Sequence, residues 1–578
     1  MLQEFTLSEG KAIINFTLKY CDTRQKILNS YGFHRVMETF IRKLKKEQVI
    51  IYDYYMKEFE SEEEFKRTLI EAFKLLTVCN SDEVQTVHNK YAIFFNDKDL
   101  FIELIELLYS FWRSLERYTI VHNSTVGQGL QSVRFMQANE LFNELVLSIY
   151  RRIEETIMGY QHRVYRQLNA GANAALTLSN VSWNCPVEYN GLSQIPFITG
   201  VMFQPPFMSY TKRNTRDGIF QEHQQNPIKN IQLSEDDWFL FPAKVGNMLT
   251  FVYFHKDFMV HGFSLSNLFE LAKESEYIGK KPDIIYVFGY PDGQEEKRTF
   301  YYKDTQNNIL IGYANHCDDI DYFGYMKKML LTLHNVKQME FNRLPIHGAM
   351  VNILLKNGKE SNIIIMGDSG AGKSESLEAF RTLNEKYIRH MRVIFDDMGY
   401  LKKEEDGTIK GYGTEIGAFV RIDDLDPAYA FQQLERGIYS NPDKVNARIT
   451  IPAATYDIIM RGYKVDYFLY ANNYTDAEDN KQIEFFDDLE EAIKVFEAGA
   501  RKAKGTTTEK GLVTSYFANP FGPVQEPELA GRLIREYFTD MHKNGVKIGE
   551  IYTLLAIDGK AKEGPREAAE ELFKLINE

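Results

Sequence analysis

Gly367-Asp-Ser-Gly-Ala-Gly-Lys-Ser374 lies between an apolar run, Asn362-Ile-Ile-Ile-Met366, and a stretch of helical character, Glu375 to Leu383. It fits G-x-x-x-x-G-K-[ST] in the order strand, loop, helix, which is the setting that gives the pattern its meaning. Glycines let backbone N–H groups turn inward around phosphate oxygens, a lysine brings charge to the β- and γ-phosphates, and a hydroxyl is offered to magnesium. The helix N-terminus behind the loop adds partial positive charge. Gly367, Asp368, Ser369, Gly370, Ala371, Gly372, Lys373 and Ser374 are therefore the expected nucleotide-binding residues, with Ser374 also a magnesium ligand. Upstream, Met350 to Leu355 reads as a strand that turns through Lys356-Asn-Gly-Lys359, because Asn-Gly is a strong hairpin signal. Downstream, Val393-Ile-Phe-Asp396-Asp397 reads as a strand ending in two carboxylates, able to hold magnesium or to take a proton, with a plain turn as the alternative.

Further from the loop the chain changes character. Apolar residues at Phe101, Leu104, Ile105, Leu108 and Phe111, then at Leu141, Leu145, Ile149 and Ile153, follow the helical period, and residues 1–175 read as a helical domain. Short β-prone runs such as Thr250 to Phe254 and Asp283 to Phe288 alternate with turn residues, so 176–343 read as a mixed α/β domain. The remainder, 344–578, is the phosphate-loop domain, and the fold class is α/β. The sequence also contains His316-Cys317-Asp318-Asp319, which offers metal ligands in succession but reads as a loop, since adjacent side chains seldom converge on one ion.

Composition narrows the function classes. The 578 residues carry 68 basic and 81 acidic side chains, a net charge of −13, which argues against broad nucleic-acid binding. No apolar run is long enough for a membrane helix, and the start of the chain has no secretory pattern. Four scattered cysteines, Cys21, Cys79, Cys185 and Cys317, form no C-x-x-C pair, so a reducing cytoplasm is expected. The 40 Phe and 35 Tyr indicate large packed cores.

Several segments resemble one known group, the ATP-type phosphoenolpyruvate carboxykinases and the related HPr kinase/phosphorylases. Gly367 to Glu375, preceded by His347-Gly348, is similar to the HPr kinase loop. Tyr322-Phe-Gly-Tyr-Met-Lys-Lys328 resembles the carboxykinase Y-x-G-E-M-K-K segment, and the interval from Lys328 to His347 (347 − 328 = 19) matches that family's spacing. Asn446-Ala-Arg448-Ile-Thr-Ile-Pro452, Gly413-Thr-Glu-Ile-Gly417 and Lys504 to Gly511 resemble further carboxykinase segments in the same order.

The resemblance implies a carboxykinase-like phosphate-loop domain behind a mixed α/β domain. It implies that Lys328 and His347 bind manganese together with one carboxylate of the Asp396/Asp397 pair, Asp397 being favoured, with lysine as a deprotonated amine and histidine as neutral imidazole. Lys328, Lys373, Asp396, Asp397 and Arg448 would be catalytic, and Tyr322, Ser369 and Arg448 would contact substrate. The family's R-S-P-K-D-K segment is missing; Arg213 or Arg216 is the expected substitute. The cofactors implied are ATP/ADP, Mg2+ and Mn2+, and the reaction is conversion of oxaloacetate to phosphoenolpyruvate and CO2. A protein serine kinase of the HPr kinase type is the alternative, as is a catalytically silent nucleotide-binding regulator with a protein partner on the helical domain. Neither nucleic acid nor membrane is an expected partner.

Overall fold

The run leading into the phosphate loop is the second arm of a hairpin. In a computed structural model of the chain, Leu344–Leu355 and Glu360–Met366 pair antiparallel from Gly348 opposite Met366 to Leu354 opposite Glu360. Gly358 takes the left-handed φ of +91° that the tight turn requires. The structure describes residues 4–16, 21–47, 50–122, 130–160, 169–368, 370–373, 375–376, 379, 388–422, 436–476, 481–503, 511–557, 559–560 and 563–577.

Two compact units result, Met1–Asn180 with Ile198–Gln204, and Val181–Phe197 with Pro205–Glu578. The expected boundary at residue 343/344 falls inside the second unit, because the long helix before it packs on sheets from both sides.

The first unit is not purely helical, contrary to the sequence expectation. Helices Tyr31–Lys46, Glu62–Leu76, Lys98–Ser114 and Leu130–Met158 accompany a sheet in the order Phe5–Ser8, Lys11–Phe16, Glu116–His122, Ala174–Ser179, Phe197–Phe203. Its strands are only four to seven residues long, and one of them, Glu116–His122, lies between two long helices, so they leave little trace beside the helical periods. Its core is rich in aromatic contacts: Tyr55 stacks on Phe65, and Phe94 stacks on Phe101. Each such ring, fully buried, contributes roughly 1.5–3 kcal/mol.

Three sheets of the second unit carry the site. Met248–His255, Ile284–Tyr290 and Ile309–Asn315 form a parallel trio with Ile284–Tyr290 in the middle. The phosphate-loop sheet runs Tyr463–Lys464, Ile409–Gly413, Ile388–Lys403, Leu344–Leu355, Glu360–Met366, Tyr467–Asn472, Lys547–Tyr552, Ile483–Phe485. A smaller sheet is ordered Gly417–Arg421, Arg448–Pro452, Ile438–Ser440, Phe207–Ser209. Helix Phe323–Glu340 begins just after Tyr322 and is buried along nearly all of its length. The strand expected to end at Asp397 runs instead from Ile388 to Lys403, with Asp396 and Asp397 paired opposite Ala349 and Gly348. The two carboxylates thus sit mid-strand, neither at a strand end nor in a turn.

Candidate nucleotide and metal site

The loop is built where the central strand ends. The amide of Gly367 donates to the carbonyl of His347 at 3.1 Å, so the loop leaves the sheet beside that histidine. Gly370 and Gly372 adopt φ of +79° and +101°, and a Cβ on Gly372 would stand 2.6 Å from Thr553 Oγ1. That hydroxyl donates to the Ala371 carbonyl at 2.8 Å, and Asn473 Nδ2 donates to the Gly370 carbonyl at 3.0 Å, fixing the curve from outside. Lys373 opens the following helix and is almost buried; its ammonium donates to the carbonyls of Gly367 (2.6 Å) and Asp368 (3.2 Å). Burial lowers its pKa, against the charges of Asp397, Asp368, Asp396 and Glu375. Asp368 in turn accepts from Arg501 Nε at 3.1 Å. Ser369, Ser374 and most of the stretch from Glu375 to Leu383 lie outside the described residues, as do residues 504–510.

Beside the loop, Lys328, His347 and Asp397 come together from a helix and two adjacent strands. Lys328 Nζ lies 2.7 Å from Asp397 Oδ2, and His347 Nε2 lies 3.0 Å from Asp397 Oδ1. Asp397 holds φ at +139°, a region costing an L-residue about 1–3 kcal/mol, sustained by what its side chain meets. Burial alone would raise its pKa, but the charges of Lys327 and Lys328 outweigh it and hold it well below the usual range. Burial lowers Lys328 to about 8, closer to the free amine that a metal needs.

The histidine supplies the strongest indication of a cation. His347 Nδ1 lies 2.8 Å from the carbonyl of Ala518, which can only accept, so Nδ1 carries the proton. Burial, then the charge of Lys373, lowers the ring's pKa and keeps it neutral. Nε2 therefore presents a lone pair toward a carboxylate oxygen 3.0 Å away. Two acceptors face each other, an arrangement that a divalent ion between them would satisfy, so the donor set fits the expected metal.

Residues not singled out by sequence complete the surroundings. Lys327, adjacent to Lys328, is the more deeply buried lysine and lies 2.7 Å from Asp397 Oδ2 and 3.0 Å from Glu415 Oε1. Burial disfavours its charge, yet Asp397 and Glu415 raise its pKa overall; burial pushes Glu415 up to about 7. Glu415 could have been read from its place in the Gly413–Gly417 segment. Lys327 looked like half of an ordinary surface pair.

A cationic pocket surrounds Tyr322. Burial raises the pKa of this phenol, while Arg448, Arg216, Lys327 and Arg421 each pull it down. Arg421 and Arg448 are directly opposed in the small sheet, where like charges repel unless an anion lies near them. Arg448 Nε is buried without a hydrogen-bond partner, and the guanidinium stands 5.6 Å from the Phe419 ring. Arg216 packs 5.4 Å from the ring of Phe521, against which Lys328 also lies, at 4.6 Å. Arg213 behaves differently: half-exposed, it bonds Asp319 at 2.9 Å and does not join the pocket. Of the two candidate arginines, only Arg216 reaches the site. Asp396 is close enough to influence Lys373 but takes no part in the Lys328–His347–Asp397 contact.

A scan against protein-family models and a search of curated proteins find no match to this chain.

Proposed function

We propose that the protein is an ATP-dependent phosphoryl-transfer enzyme of the carboxykinase type, converting oxaloacetate and ATP to phosphoenolpyruvate, ADP and CO2. The observation carrying this reading is that Lys328, His347 and Asp397 converge beside Lys373 and next to the cationic pocket around Tyr322. A nucleotide site alone would need only the loop. The added lysine–histidine–aspartate set and the opposed arginines suit a substrate with two carboxylates and a developing enolate.

Loop amides and Lys373 hold the β- and γ-phosphates and offset charge as the phosphoryl group moves. Arg216, Arg421 and Arg448 bind the carboxylates of oxaloacetate, Arg448 through a guanidinium fork suited to a planar anion. Tyr322 lies among them and orients the same group. The C–C bond to the departing carboxylate breaks and leaves its electrons in the enolate. The enolate oxygen then attacks the γ-phosphorus, and ADP departs with the bridging oxygen. A manganese ion held by Lys328, His347 and Asp397 would supply Lewis-acid stabilisation for enolate charge. Lys327 and Glu415 hold Asp397 in place from behind.

A coupled assay for phosphoenolpyruvate formation with oxaloacetate, ATP and Mn2+ tests the reading. Turnover lost in Lys373→Ala and His347→Ala supports it. ATP binding with no phosphoenolpyruvate formed, or transfer of label from ATP to a protein serine, defeats it.

A further inference from the structure

We propose that His255, Asp257 and His316 form a second metal site, for a divalent ion of the zinc class, separate from the Lys328–His347–Asp397 set. His255 ends the strand Met248–His255, His316 follows the strand Ile309–Asn315, and Asp257 lies in the turn Lys256–Phe258. Those two strands are parallel and flank Ile284–Tyr290, so both histidines emerge at the carboxyl ends of a parallel sheet, where α/β sheets commonly bind ligands. The sequence run His316-Cys317-Asp318-Asp319 does not converge. His316 finds its partners some sixty residues earlier, while Asp318 and Asp319 bond Lys212 and Arg213.

The geometry fits one small ion. One donor atom from each residue lies within 4.8 Å of the others. His255 Nδ1 is 3.3 Å from Asp257 Oδ2, close to the ~3.3–3.4 Å edge of a tetrahedron with bonds of ~2.0–2.1 Å. His316 Nε2 is 2.8 Å from the same oxygen. His255 Nδ1 also accepts a long hydrogen bond from the Asp257 amide at 3.4 Å, so that nitrogen is unprotonated and electron-rich beside the carboxylate. A cation between the two electron-rich atoms would relieve the contact.

The walls hold the donors in place. Trp238 meets the His255 ring edge-on at 5.5 Å, and Phe258 lies 5.2 Å from the His316 ring. Gly289, at φ of +89°, leaves no room for a side chain: a Cβ would stand 2.4 Å from Phe258 and 3.3 Å from His255 Cβ. Two imidazoles with one carboxylate favour zinc-class ions over magnesium or calcium, and three protein ligands leave a fourth position for water or an outside ligand. All three side chains are partly exposed, which gives an ion access.

Co2+ serves as the probe, added to the chelator-treated full-length protein and followed by its visible absorption and by bound-metal stoichiometry. His316→Ala and Asp257→Asn should each lose one equivalent that His347→Ala retains. Unchanged stoichiometry in both variants would overturn the proposal and leave a hydrogen-bonded cluster only. The wild-type chain gives a check independent of variant folding. Saturating Zn2+ should protect His255 and His316 from diethylpyrocarbonate, read by peptide mapping. Equal modification with and without Zn2+ would equally overturn the site.

Discussion

At the scale of single residues, Asp397 bears the most. It faces buried Lys327, partly buried Lys328 and a neutral histidine, and its removal leaves Lys328 without its counter-charge and Lys327 with Glu415 alone. Asp397→Asn should therefore lower stability by about 3–5 kcal/mol, read from the denaturant midpoint, besides abolishing the Mn2+ binding proposed above. An unchanged midpoint would mean that Lys327 rests on Glu415 alone. The two candidate arginines give a second contrast. On the proposed reaction, Arg216→Ala should raise KM for oxaloacetate roughly 10- to 150-fold, the loss of a charge-assisted hydrogen bond worth about 1.5–3 kcal/mol. Arg213→Ala, whose side chain is half-exposed on Asp319, should change it less than about twofold. Sequence marked Lys328, His347 and Asp397 because they sit in recognisable segments at a definite spacing. Lys327 and Arg421 were not legible, since a Lys-Lys pair on a helix and a lone strand arginine have the pattern of solvated residues; only packing from distant segments shows otherwise.

At the scale of elements, helix Phe323–Glu340 links the site to the core. His334 on it is fully buried between Asn335 and Gln338, and burial lowers its pKa to about 4. The unfolded chain takes up this proton near pH 6.5, before the folded chain does. Stability is therefore full above pH 6.5 and falls as pH drops toward 4, by up to about 3 kcal/mol from this group. Thermal melts of the wild type against His334→Gln should show that acid limb reduced in the variant; parallel curves would refute the assignment. The phosphate loop makes its own demand. Gly372→Ala meets both the unfavourable φ and Thr553, so the proposed ATP binding should fall at least tenfold in equilibrium titrations. Elements with a strong local signature, the hairpin at Gly358 and the loop, were legible in sequence. The extension of Ile388–Lys403 through Asp-Asp-Met-Gly was not, because residues that elsewhere favour turns are kept in the strand by pairing with Leu344–Leu355, joined from Gly399 onward by Ile409–Gly413 on the other side.

At the scale of the whole molecule, the first unit is discontinuous in sequence, a feature that periodicity along the chain cannot reveal. Ile198–Gln204 returns to it after Val181–Phe197 has joined the second unit. The returning segment is tied by Thr199 Oγ1 donating to the Thr177 carbonyl at 3.2 Å and by the Gln204 amide donating to the Asn173 carbonyl at 2.8 Å. Met202 packs on the small cluster of Val121, Phe135, Ala172 and Ala175. A fragment ending at Asn180 therefore leaves Ala174–Ser179 as a bare sheet edge beside uncovered apolar side chains, a combination that invites association. Residues 1–204 should be more stable than residues 1–180 by about 2–4 kcal/mol for the hydrogen bonds and apolar area regained, seen as a higher denaturant midpoint, and stay monodisperse where the shorter fragment associates. Equal midpoints would show that the first unit closes without its returning strand, and that residue 180 is its true limit.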